Sequence, residues 1–245
     1  MSKAKKRQRR AQNELGRVKA KLAQAEEIVR LAKSYPDLDQ FIASLQPFHP
    51  SRLLGIFRCS PEEYLAADTV LARNGYPGYR MLECEIDGED TPSGDGKGRA
   101  WTAAVKQEDQ SDEAFKIFVG IVNRPSSDDS ISAVSGRWME IVSVVHELGH
   151  AYDMDNGITF HLGRPFDIED AEVVAHDFAC RLLRELGLTM GLTTYLSSVI
   201  CSMLNDSNDS VASAARRFLA SEEYRRCLSE IPGHMHEQFG ILKAP

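Results

Sequence analysis

The sequence predicts an α+β fold: helices first, then a small, mostly antiparallel sheet, then helices to the end. Three observations carry that expectation. Apolar residues recur at spacings of three and four before residue 75 and after residue 130. Between these stretches lie short runs rich in β-branched and aromatic residues, separated by polar turns. No strand alternates with a helix as a βαβ array would require. The chain has 245 residues, 42% hydrophobic and 27% charged, which suits one large domain or one domain with appended elements. With 17 Gly and 10 Pro it is neither collagen-like nor of low complexity. Two regions are expected: a basic arm and helical lead-in over residues 1–75, and a domain over 76–245 holding the sheet and the later helices.

The elements follow in order. Residues 11–34 read as one long helix with apolar positions Leu15, Val18, Leu22, Ala25, Val29, Leu31 and Ala32, stopped by Tyr35-Pro36. A short helix is expected at 38–45, before the Pro47–Pro50 break. Ser60-Pro61-Glu62-Glu63 has the form of a helix start, with a capping serine, an early proline and acids at the positive end. That helix is expected to reach Arg73, with Asn74-Gly75 ending it. Strands are expected over Tyr79–Ile86, Ala100–Lys106 and Phe115–Asn123, with a polar loop at Asp87–Arg99. After Arg124-Pro125 the pattern is helical at 132–153, 168–186, 190–204, 210–219 and 221–230.

Charge is unevenly placed. Residues 1–21 hold nine Lys or Arg against Glu14 alone, a net +8; the whole chain carries −7, so the remainder carries −15. A basic segment of this kind suits weak nucleic-acid contact through residues 3–21, although no aromatic residue is interleaved to stack on bases. The alternative is a solvated, frayed helix start. The five cysteines are odd in number and form no CxxC pair, which excludes a disulfide scaffold or a cysteine zinc finger. No apolar signal core follows the basic start, and no apolar run approaches the ~18 residues of a membrane span. A cytoplasmic setting is expected, and export without a cleavable signal is compatible with the same features.

One motif carries chemistry: His146-Glu147-Leu148-Gly149-His150. Histidines four apart on a helix share a face, so both imidazoles reach one Zn²⁺, and the glutamate between them flanks the metal as general base. The motif ends an apolar stretch, Trp138–Val145, where two imidazoles and a carboxylate are costly to bury uncompensated. A metal compensates all three. The alternative is a satisfied structural histidine pair.

A catalytic zinc takes three protein ligands and leaves the fourth position to water. Asp153, His161, Glu169, Asp170, Glu172 and His176 are the downstream candidates. On a wheel of about 100° per residue from Ile168, Ala171, Ala175, Phe178, Ala179, Leu182 and Leu183 form the apolar sector. Glu172 falls inside it, Asp170 opposite, and Glu169 and His176 on its border. Glu172 is therefore the expected third ligand, against a core-edge ion pair with an arginine. Asp153, seven residues past His146, suits either a hydrogen bond to a ligand imidazole or a helix-end cap. His176 suits a supporting group behind the ligands or a surface position.

His146–His150 followed by Glu172-Val173-Val174-Ala175-His176-Asp177-Phe178-Ala179 resembles the ImmA/IrrE-type metallopeptidases, whose second helix reads E-x-x-A-x-x-F-A. The resemblance spans residues 115–186 and matches at Glu172, Ala175, Phe178 and Ala179. It departs at His176, where Asn is frequent, and at Leu182-Leu183-Arg184, where Leu-Met-Pro is frequent. His146–Asp153 with Arg184-Glu185-Leu186-Gly187-Leu188 also resembles zinc proteases that bacteria inject into host cells. Either resemblance implies a zincin-like core of the gluzincin type, with Glu172 as third ligand. Each also implies narrow cleavage of one protein partner, a transcriptional regulator or a signalling protein.

The expectation is thus a zinc-dependent endopeptidase, with His146, His150 and Glu172 holding Zn²⁺ and Glu147 activating water. Phe115–Asn123 is the expected edge for an extended peptide. Tyr195, His234 and His236 are unassigned candidates for assisting the oxyanion. The alternatives are a non-enzymatic, zinc-stabilised interaction protein using the basic helical N-terminus, and zinc hydrolysis of a non-peptide substrate.

Overall fold

The computed structural model describes residues 3–82, 100–122 and 131–243, and the side chains of 12–82, 100–122 and 136–243. The expected strand end at 83–86, the loop at 87–99 and the turn after Val122 lie outside the described residues. The fold is α+β.

The sheet has four strands, β1 (Leu53–Cys59), β2 (Tyr79–Met81), β3 (Ala100–Gln107) and β4 (Lys116–Val122), in the order β1-β4-β3-β2. β4 pairs antiparallel with β3 and parallel with β1, and β2 pairs antiparallel with β3. Two expectations change here. β1 was not foreseen, and its parallel pairing makes the sheet mixed. β4 is interior, with both backbone edges occupied, so it offers no edge for a peptide. Among the described residues β3 pairs with β4 alone over Ala100–Ala103, since β2 reaches only Val105 and Leu82 N–H donates to Ala104 O.

An interior strand covered on both faces must be apolar on both. In β4, Ile117, Val119 and Ile121 belong to one core and Phe118 and Val122 to the other. The second core is capped by the short helix α3 (Ala67–Arg73), whose Ala67, Val70 and Leu71 are buried. The expected 60–73 helix is interrupted: Ser60 N–H donates to Glu63 Oε2 at 2.7 Å, and Leu65 then takes a positive φ of 61° before α3 begins. Gly120 has no side chain because the Trp101 ring covers it; a Cβ there would lie 2.5 Å from that ring. The boundary expected at residue 75 does not divide this sheet, since β1 and α3 precede it.

The first core is larger and is organised on α4 (Ile131–Asn156), which packs on β3 and β4 and buries Trp138, Ile141, Val142, Val144, Val145 and Leu148. α5 (Ile168–Glu185) packs against α4. Its N-terminus is capped by Asp167, which accepts from Asp170 N–H. The stretch expected as one helix over 190–204 is α6 (Thr189–Thr194), a wide π turn at Tyr195–Val199, and α7 (Ile200–Leu204). Next come α8 (Asp209–Leu219), α9 (Glu222–Glu230) and α10 (Gly233–Phe239). At the start of the chain, α1 (Lys3–Ala32) precedes α2 (Leu38–Ser44). Among the described side chains of α1, those near its end join the body: Ile28 is buried, and Trp138 Nε1–H donates to Ala32 O at 2.9 Å. Among the described residues no helix is long and apolar enough to cross a membrane.

Candidate metal centre

The last turns of α4 and the first turns of α5 bring three ligand side chains together. His146 and His150 project from one face of α4 with their Nε2 atoms 3.2 Å apart and their rings nearly perpendicular. From α5, Glu172 sets Oε2 3.3 Å from His146 Nε2 and Oε1 3.6 Å from His150 Nε2. Zinc bonds to imidazole and carboxylate are about 2.0–2.2 Å, so ligand atoms in a tetrahedral site stand roughly 3.3–3.5 Å apart. The two imidazole Nε2 atoms, and each of them with the Glu172 oxygen nearest to it, stand at or close to that separation. Glu172 Oε2 is buried without a hydrogen-bond partner, a costly state that a cation relieves.

The helices reach this geometry because both are small where they cross. A Cβ on Gly149 would lie 2.8 Å from Ala175 Cα and 2.9 Å from its carbonyl oxygen. Glycine in the motif and alanine one turn after Glu172 thus let the backbones touch, which sets the carboxylate against the imidazoles.

Electrostatics in the metal-free site follow from burial and pairing. Burial alone would lower the His150 pKa, but the Glu172 carboxylate beside it raises it to about 9. Burial would likewise raise Glu172, and the two histidines hold it well below the usual carboxylate range. A proton thus occupies the place a metal would take, since ligand histidines bind metal only when neutral.

Two groups that sequence reasoning left out or left open support these residues. Thr102 on β3 lies within 2.9 Å of Glu147 Oε2 and of the Glu147 carbonyl, donating its hydroxyl hydrogen there. Tyr195 Oη stands 2.8 Å from His146 Nδ1 and 2.8 Å from His176 Nδ1. Burial, then the neighbouring His146, lower the His176 pKa to about 3, so that ring is neutral. For His146 to present its Nε2 lone pair to a metal, its Nδ1–H donates to Tyr195 Oη and Tyr195 O–H donates to His176 Nδ1; the reverse relay puts a proton on His146 Nε2, facing Glu172. Tyr195 is fully buried. It therefore acts on the back of His146 and does not reach towards a substrate oxyanion.

His176 itself is fully buried, not at the surface. Its ligand atom falls with those of His146 and Glu172 inside 4.8 Å. Tyr195 holds the Nδ1 atoms of both His146 and His176, which leaves Nε2 as the ligand atom of either ring; His150 Nε2 stands 3.2 Å from His146 Nε2 and 3.6 Å from Glu172 Oε1. The other candidates are used elsewhere. Asp153 accepts from Thr159 N–H at 2.7 Å and from its hydroxyl, tying down the chain after α4. Glu169 and Asp170 both pair with Arg217 of α8, at 2.9 and 2.7 Å. His161 is exposed beside Gly157, past the end of α4. His234 faces Glu27 of α1 at 3.8 Å, and His236 Nε2 is buried without a partner.

No protein-family model, curated protein or solved structure matches this chain.

Proposed function

We propose that this chain is a zinc-dependent endopeptidase with a zincin-like core, holding Zn²⁺ through His146, His150 and Glu172. The observation that carries the proposal is the convergence of His146 Nε2, His150 Nε2 and the two Glu172 carboxylate oxygens at 3.2–3.6 Å from their nearest partners, with Glu147 next to His146 in the same helix. When bound, Zn²⁺ supplies Lewis acidity that polarises a scissile carbonyl and acidifies a water molecule. Glu147, steadied by Thr102, takes the proton of the attacking water and delivers it to the leaving amine. Tyr195 and His176 keep the His146 tautomer competent for metal.

The ImmA/IrrE-type resemblance supports this reading and gains a physical reason, because the alanine of E-x-x-A is the contact point for Gly149. Narrow cleavage of a regulatory or signalling protein is the activity it implies.

The experiment incubates the zinc-loaded protein with a peptide library and reads products by mass spectrometry. Cleavage is expected from the wild type and not from Glu147→Gln, with one zinc retained in both. Zinc retention without cleavage of any peptide by the wild type would overturn the proposal. One observation favours a second reading, a closed structural zinc site: His176 Nε2 is buried without a hydrogen-bond partner. In that case His176→Ala would release zinc; for the peptidase, zinc stays bound in that variant.

A further inference from the structure

We infer that α1 pairs with α1 of a second copy of this chain as a parallel, two-stranded coiled coil. The inference is independent of the metal site.

Leu15, Val18, Leu22, Ala25 and Val29 follow one another at steps of three, four, three and four, the a/d pattern of a heptad repeat. They form a stripe on a helix that otherwise stands clear of the body. Leu15 is 56% exposed, Val18 61%, Leu22 59% and Val29 54%. Four large apolar side chains in one line on a 30-residue helix are an unpartnered seam, since scattered single exposures are ordinary but a contiguous stripe is not. The body does not cover it. α1 docks through Ile28, Leu31 and the Ala32 carbonyl, and that face points roughly 100° away from the seam.

Charge selects the occupant and its direction. With Leu15, Leu22 and Val29 at a, the charged positions flanking the seam are Glu14 and Lys21 at g, and Lys19 and Glu26 at e; the next g position, Ile28, is buried against the body. All four charged residues are exposed. In a parallel pair each g residue faces the e residue five positions on in the other chain. Glu14 then meets Lys19 of the partner subunit, and Lys21 meets Glu26 of the partner subunit. Symmetry doubles these to four attractive pairs. The antiparallel alignment that seats Leu22 on Val18 of the partner subunit instead sets Lys19 against Lys19 of the partner subunit and Lys21 against Lys21 of the partner subunit. Antiparallel alignments shifted by a heptad keep two of the four pairs. The sequence is thus complementary to itself, in register and in one direction.

The test uses the full chain in sedimentation velocity from low to high micromolar concentration. The wild type is expected to reach twice the 27.3 kDa chain mass, and Leu22→Asp to remain single. Leu22 is 59% exposed and packs with neither core among the described residues, so the variant's unchanged circular dichroism and Tm separate lost pairing from lost folding. Lys19→Glu is expected to raise the dimer Kd by roughly 3–10-fold, and adding Glu14→Lys to restore it. Val18→Cys, a d position, is expected to form an intermolecular disulfide on oxidation. A wild type that stays single at every concentration overturns the inference. So does a doubled mass that survives Leu22→Asp, or one in which Val18→Cys fails to cross-link.

Discussion

At the scale of single residues, the centre depends on which ring nitrogen carries a proton. His146 has one nitrogen towards Glu172 and the other towards Tyr195. Tyr195→Phe removes the acceptor that holds the proton on Nδ1, and zinc affinity is expected to fall about 10–100-fold, measured by competition with a chelating dye. Thr102→Val leaves the ligands intact. It is expected to retain one zinc per chain while slowing peptide cleavage, because Glu147 loses the hydroxyl hydrogen bond it accepts from β3. The metal-free site also has a pH signature. The His150 pKa is raised from its ordinary 6.5 to about 9 by Glu172, against burial. A raised pKa stabilises the fold fully below about 6.5, and that contribution is lost as pH rises through 9. Glu172 is depressed, so its contribution holds above its ordinary 4.5 and fades as pH falls. Tm in EDTA is therefore expected to decline from pH 7 to 9.5, while the increment from added zinc grows over the same range. A zinc increment that shrinks with pH would contradict the ligand role of His150.

The convergence of His146, His150 and Glu172 was legible at this scale because helical periodicity reports on it directly: spacing pairs His146 with His150, and the apolar sector of α5 contains Glu172. Thr102, Tyr195 and the burial of His176 were not legible. Each depends on which distant element arrives beside it. His176 sits at the border of its own wheel, and it is buried because Phe218 of α8 and Tyr195 close over it, with ring centroids at 5.3 and 6.0 Å. Thr102 occupies an ordinary strand position whose meaning appears only once β3 lies against α4.

Among elements, the α4–α5 crossing decides whether a site exists. Gly149→Ala forces a Cβ into the Ala175 backbone at 2.8 Å, and backbone cannot yield as a flexible side chain does. Overpacking of this kind costs about 1–3 kcal/mol, a fall in Tm of roughly 3–10 °C for a chain of this size, together with weakened zinc binding as Glu172 is pushed away. Thermal unfolding with and without zinc reads both effects. The π turn at Tyr195–Val199 is the other element-scale device: one wide turn between α6 and α7 aims Tyr195 at both histidines, and such turns recur at functional sites. Sequence periodicity reads straight through it as one helix. β1 escaped notice for a similar reason. Leu53–Cys59 is a short apolar run between a proline break and a helix start, and periodicity alone does not separate a buried strand from a loop or helix fragment. Its parallel partner lies more than sixty residues away.

For the whole molecule, the centre is assembled from β3, α4, α5 and the π turn, spanning residues 102 to 195. The fold is thus organised around the α4–α5 crossing at which His146, His150 and Glu172 meet. α4 is the hub, with the sheet on one side, α5 on the other and Trp138 anchoring the end of α1. The α+β class and the order of its layers follow from patterning along the chain; strand order and the second core under α3 are tertiary outcomes. Placing the peptide at the edge of β4 failed because a strand's neighbours are set by topology. A ligand that binds only the folded state stabilises it by mass action, so a metal at this hub acts on the molecule as a whole.

The central claim is that three side chains on two helices form one zinc site. Titration calorimetry of Zn²⁺ into the EDTA-stripped protein tests it most directly, with His146→Ala, His150→Ala, Glu172→Ala and His161→Ala beside the wild type. One site per chain is expected, with each of the first three substitutions weakening binding beyond the ~10–100-fold of a supporting residue and His161→Ala binding as the wild type does. A wild type that takes up no zinc, or a Glu172→Ala protein that binds it equally well, would contradict the account.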